Sequence, residues 1–193
     1  LVPHRVRDFA QGGVIAKEHI AANAYNLDCL RANGIRRVLV HLRDPRQIAL
    51  SWAHFVRDDI ARMPLGAIWR QCCPPAAVLN DDFTALLDWC IDHYLPHVVA
   101  FMRDWQAVAA DPRAPVSVKL QTFEAFRADP DRYFREVLAF HDVAPTRYAE
   151  AEDAHLRKGE TDEWREVFSA EQKRRAAELI DRDLLDAFDW PRR

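Results

Sequence analysis

Apolar positions along the chain follow two periods. Arg37-Val38-Leu39-Val40-His41-Leu42 has a short, β-branched apolar centre and reads as a buried strand. Val116 to Leu120 alternates and reads as another strand, and Val14 to Lys17, apolar at its start, reads as the end of a third. Between these runs the period changes to that of a helix. Ile48, Trp52, Phe55 and Val56 form a stripe that predicts a helix from Pro45 to near Ile60. A longer stripe runs from Phe83 through Leu86, Leu87, Cys90, Ile91, Tyr94, Leu95, Val98, Phe101, Met102 and Trp105 to Val108, and Pro96 is expected to kink or divide it. Asn23 to Ala32 reads as a helix closed by Asn33-Gly34, and Tyr133, Phe134, Val137 and Leu138 as the buried side of another behind Asp129-Pro130. A last helix starts near Ser169 and is expected to bury Ala176, Leu179, Ile180, Leu184 and Leu185. Arg62 to Asn80, with Pro64, Gly66, Pro74 and Pro75, reads as an irregular excursion with room for one short helix. Arg147 to Gly159 is polar and reads as a loop.

The order strand, helix, strand, helix, long helix, strand, helix, helical tail predicts an α/β fold, a parallel sheet flanked by helices. With no repeat, low-complexity stretch or linker, residues 1–193 are expected to form a single domain. Composition narrows the function classes. A formal net charge of −3 argues against a nucleic-acid binder, which usually carries a basic surplus, but leaves room for a local basic pocket. No apolar run reaches the ~18 residues needed to cross a bilayer. Leu1 to Phe9, with Arg5, Arg7 and Asp8, does not read as a signal peptide. Four cysteines do not make a disulfide framework, so a cytoplasmic location is expected. The five glycines include no phosphate loop of the G-x-x-x-x-G-K-[ST] type.

The segment from Val38 to Arg46 is the first place for chemistry. A strand ends, Arg43 stands at its carboxyl end, and a helix starts at once with Asp44 as N-cap and Pro45 in the first turn. Ligands of open α/β sheets bind at that edge, and a helix N-terminus adds donors and partial positive charge. Ser51 follows two turns into the helix; an arginine fork and a serine hydroxyl suit a phosphate. Two readings stay open: an anion site, or a capped helix whose arginine pairs with a surface carboxylate.

Arg43-Asp44-Pro45-Arg46 through Ser51, then Trp52 and Phe55, resembles the 3′-phosphate-binding segment of sulfotransferases that use 3′-phosphoadenosine-5′-phosphosulfate (PAPS). Arg157-Lys158-Gly159, followed by Trp164 and Phe168, resembles that family's C-terminal Arg-Lys-Gly loop. Val118-Lys119-Leu120-Gln121-Thr122-Phe123-Glu124, ending in Asp129-Pro130, resembles a third family stretch, with Phe123 where a tyrosine is usual and Ala125 where an aspartate is. Lys17-Glu18-His19 resembles the Lys-Thr-His segment of many cytosolic members.

The resemblance implies a P-loop NTPase-like, three-layer sulfotransferase fold with PAPS as donor. Arg43, Ser51, Arg157, Lys158 and Gly159 would bind the 3′-phosphate. His19 would be the general base and Lys17 the cation at the transferring group, with Glu18 as a competing base and no metal required. The acceptor would be a hydroxyl or amine of a small molecule or carbohydrate; Met63, Leu65 and Trp69 could line its pocket. The family begins with a strand and a lysine-bearing loop for the 5′-phosphosulfate. That part is missing here, so the expected fold is N-terminally incomplete, its loop upstream or lost. A non-catalytic nucleotide-binding or interaction domain of the same fold is the alternative; a P-loop kinase relative ranks last, lacking a Walker loop. Cys72-Cys73 are too close for metal ligands, and Cys90 with His93 reads as core packing. Lys173-Arg174-Arg175 reads as a solvated helix face.

Overall fold

A computed structural model describes residues 1–12, 15, 17–58, 74–79, 82–144 and 159–192. They are mixed α/β and mostly helical, with a small parallel sheet of two strands. In chain order the elements are α1 (Pro3–Ala10), α2 (Ala24–Ala32), β1 (Arg37–Leu42), α3 (Pro45–Asp58), α4 (Ala76–Leu79), α5 (Phe83–Trp89), a π-helical turn (Cys90–Tyr94) and α6 (Leu95–Ala110). There follow β2 (Ser117–Thr122), α7 (Phe123–Ala128), α8 (Pro130–Phe140), α9 (Trp164–Val167), α10 (Ala170–Leu179) and α11 (Arg182–Ala187). The strand read at 14–17 falls partly outside the described residues; Ile15 and Lys17 are in neither helix nor strand. The excursion at 62–80 is described only as Pro74, Pro75 and α4, and Met63, Leu65, Trp69, Cys72 and Cys73 lie outside the described residues.

The chain divides into two compact units, each drawn from two separate stretches: Leu1–Leu42 with Phe101–His155, and Arg43–Ala100 with Leu156–Arg193. The first holds the sheet. β1 and β2 pair in parallel from Arg37 opposite Ser117 to Leu42 opposite Thr122. Val40 and Leu42 point into the core, which also takes Leu27, Leu30, Met102, Trp105 and Val116. Caps set the helix starts. The Asn23 side chain accepts the Asn26 N–H at 2.9 Å, Thr122 that of Ala125 at 3.1 Å, and Asp129 that of Arg132 at 2.9 Å. β2 therefore passes through α7, which the apolar pattern did not reveal, directly into α8.

On α8, the Tyr133 hydroxyl is hydrogen-bonded to His41 Nδ1 at 2.7 Å, with Phe126 packed edge-on against the tyrosine ring. Burial pushes the Tyr133 phenol up to about 12. Three residues later, Glu136 accepts from Arg132 at 2.9 Å and Gln121 at 3.0 Å, with the Lys119 ammonium at 3.3 Å. Arg132 above all holds its carboxyl below the usual range; burial opposes it, and Lys119 and then Gln121 add to the lowering.

The second unit packs α3 against α5 and the π turn. Its core includes Ala49, Leu50, Ala53, Val56, Leu87, Ile91, Trp164 and Leu184. Pro96 is accommodated by widening the helix ahead of it rather than by ending it. The Leu95 N–H reaches back to the Cys90 carbonyl, five residues away, so Cys90–Tyr94 is a π turn. Cys90 is fully buried there, and burial raises its thiol to about 12.

The C-terminal helix divides. Ser169 and Gln172 form a capping box at the start of α10, as their spacing suggests. The backbone then turns extended at Ile180, so Leu179 is left exposed while Ile180, Leu184 and Leu185 are buried. The basic run is tied down: Arg174 bridges Glu171 and Glu178, and Arg175 reaches Asp92 at 2.7 Å and also Asp88.

Candidate functional site

The site is built where β1 hands over to α3. Pro45 opens the helix with its fixed φ. The Asp44 carboxylate caps it, accepting the Arg46 N–H at 2.9 Å, and the Asp44 carbonyl accepts the Ile48 N–H at 3.0 Å. Asp44 also accepts from the Arg46 guanidinium at 2.9 and 2.6 Å, and both side chains are 2% exposed. The bidentate pair neutralises the carboxylate that follows Arg43 in the chain, which lessens its opposition to an anion at that corner. The cap does engage the Arg46 N–H, one of the backbone donors expected to face a ligand.

Arg43 is half-buried at the start of this unit. Its guanidinium donates to the backbone carbonyl of Glu160. Glu160 directly follows Gly159, which has a φ of +69°, a conformation that favours glycine. The residue just after the Arg-Lys-Gly segment thus touches the arginine at the strand end. Arg157 and Lys158 lie outside the described residues. Ser51 is half-buried on the second turn of α3. Beside it, Trp52 stacks on Tyr94 with ring centres 4.9 Å apart and contacts Phe55 at 5.4 Å, an aromatic face on the same helix.

Four further residues hold this corner together. Gln47, 1% exposed, accepts the backbone N–H of Trp164 through its Oε1 at 3.1 Å. The Arg46 guanidinium lies 3.9 Å from the centre of the Trp164 ring and donates to the Pro191 carbonyl at 2.6 Å. Trp164 and Phe168 are both 2% exposed and meet edge-on. Trp164 and Phe168 were visible in the sequence as motif positions. Gln47 was not; its one sequence cue is a polar residue on the apolar side of α3, one step before Ile48.

Lys17, Glu18 and His19 belong to the first unit. All three are exposed and in no regular structure. The chain is fixed just after them, where the buried Trp105 donates its indole N–H to the Ile20 carbonyl at 3.0 Å. Phe123 opens α7, is 9% exposed, and packs edge-on to His41 at 6.1 Å. Among the described residues no cluster of three metal-ligating side chains occurs, and no helix is long and apolar enough to cross a membrane. Compared with protein-family models, curated proteins and solved structures, the chain matches none.

Proposed function

We propose that the chain is a PAPS-dependent sulfotransferase domain of the three-layer, P-loop NTPase-like kind. The reading rests above all on one contact, Arg43 donating to the Glu160 carbonyl. The contact brings Arg43 to the residue that directly follows Arg157-Lys158-Gly159, the distant segment assigned by resemblance to the same 3′-phosphate. The local chemistry fits a phosphate. Arg43 carries a planar guanidinium, Ser51 a hydroxyl, and Gly159 a backbone turn in the conformation glycine favours. The carboxylate next to Arg43 is already neutralised by Arg46.

In the reaction, the acceptor hydroxyl or amine attacks the donor sulfur in line. The new bond joins sulfur to the acceptor atom, and the bond from sulfur to the 5′-phosphate oxygen breaks. His19 takes the acceptor's proton as the general base. Lys17 offsets negative charge building on the bridging oxygen. Glu18 is the alternative base. The leaving group departs as 3′,5′-bisphosphoadenosine.

Titration calorimetry with 3′,5′-bisphosphoadenosine tests the pocket. Binding should be clear and should weaken about a hundredfold in Arg43→Gln, the scale of a lost charge-assisted contact. Transfer of labelled sulfate, lost in His19→Ala with product binding intact, tests the chemistry. Binding without transfer by the native protein would favour the non-catalytic nucleotide-binding domain. No binding at all would remove the sulfotransferase reading.

A further inference from the structure

Two four-residue spacings run side by side in the second unit. Arg43 and Gln47 stand on one segment, Glu160 and Trp164 on the other. Arg43 donates to the Glu160 carbonyl, and Gln47 accepts the Trp164 N–H at 3.1 Å. The second contact is far better sheltered than the first. Gln47 is 1% and Trp164 2% exposed, whereas Arg43 is half-buried and Glu160 exposed. Trp164 is held again from the side by Arg46, whose other bonds go to Asp44 and the Pro191 carbonyl. Residues 160–164 are therefore fastened firmly at the tryptophan end and more openly at the glutamate end.

We propose that Gln47 is a positioning residue for the phosphate site: by holding the Trp164 N–H it fixes the register of Gly159 and Glu160 against Arg43. This rests on the phosphate reading of Arg43 given above. A buried amide oxygen suits the task. It accepts one hydrogen bond of fixed direction, and losing it leaves a buried N–H unsatisfied, so the segment must move to find another partner. Movement there shifts the Gly159–Glu160 backbone against the Arg43 guanidinium, although neither Arg43 nor Ser51 is itself substituted.

The test measures two ligands by calorimetry, 3′,5′-bisphosphoadenosine and adenosine 5′-phosphate, which lacks the 3′-phosphate. The native chain should prefer the first. Gln47→Leu should weaken binding of the bisphosphate about tenfold, the scale of one buried hydrogen bond, and leave the monophosphate unchanged. Gln47→Glu, which keeps an acceptor in place, should recover most of the preference. Gln47→Met replaces the leucine variant if that chain does not fold. A preference that survives in Gln47→Leu, or an equal loss for both ligands, overturns the positioning role and leaves the phosphate pocket standing. No preference in the native chain removes the pocket itself, and the positioning role with it.

Discussion

The guanidinium of Arg46 is held between the face of Trp164, 3.9 Å from its ring centre, and the carboxylate of Asp44. Both charged side chains are 2% exposed, so each is the other's counterion in a place water does not reach. Removing one member strands the other, which costs about 3–5 kcal/mol in comparable buried pairs. Arg46→Met should therefore lower unfolding free energy by roughly 3 kcal/mol, read from urea titration. The double variant Asp44→Asn with Arg46→Met should be less damaged than the two single losses added together, by ~1–3 kcal/mol. Strict additivity would mean the pair is not coupled as its geometry implies.

Features written in local chemistry were legible from sequence. Asn23, Asp44, Asp129 and Ser169 each cap the helix expected to follow, because a short acceptor side chain at that position answers an orphan N–H. The two described strands follow from β-branched, apolar runs. What escaped depends on neighbours distant in sequence or on short elements without a stripe. α9 has four residues, and β2 runs two residues past the expected end at Leu120 to Thr122, which caps the unexpected α7. The break at Ile180 moved Leu179 to the surface because one extended residue resets the helical period. In the candidate site, Arg43, Ser51 and Gly159 were legible as motif positions. The bonds from Arg46 and Gln47 to Trp164 and Pro191 join residues more than a hundred positions apart, which no local pattern records.

Tyr133 gives the first unit an alkaline limit. Its phenol is raised to about 12 by burial, whereas an unfolded tyrosine ionises near pH 10. The folded state therefore holds the proton more tightly than the unfolded one. This contribution is fully present below pH ~10 and is lost as pH rises through the folded value, for a total of at most about 3 kcal/mol. Native protein should lose stability over that interval in urea titrations. Tyr133→Phe, which starts lower for want of the bond to His41, should show a shallower fall. An identical slope in the two proteins would mean that Tyr133 is not the group responsible.

Ser51 separates binding from stability. It lies half-buried inside α3, where alanine is a better helix former by a few tenths of a kcal/mol. A serine whose hydroxyl supports neither the fold nor a ligand would thus be replaced at no cost. If its hydroxyl serves a phosphate beside Arg43, Ser51→Ala should weaken 3′,5′-bisphosphoadenosine about fivefold, the net worth of one hydrogen bond, while the melting temperature holds or rises. Ser51→Asp should do more. A carboxylate facing the ligand dianion adds repulsion to the lost bond, and the affinity should fall at least a hundredfold by ~3 kcal/mol of like-charge cost. Raising the salt concentration should then recover part of the loss in Ser51→Asp and none of it in Ser51→Ala, because screening acts on charge alone. Calorimetry at two ionic strengths decides it: two variants that bind as the native chain does would place the phosphate away from Ser51.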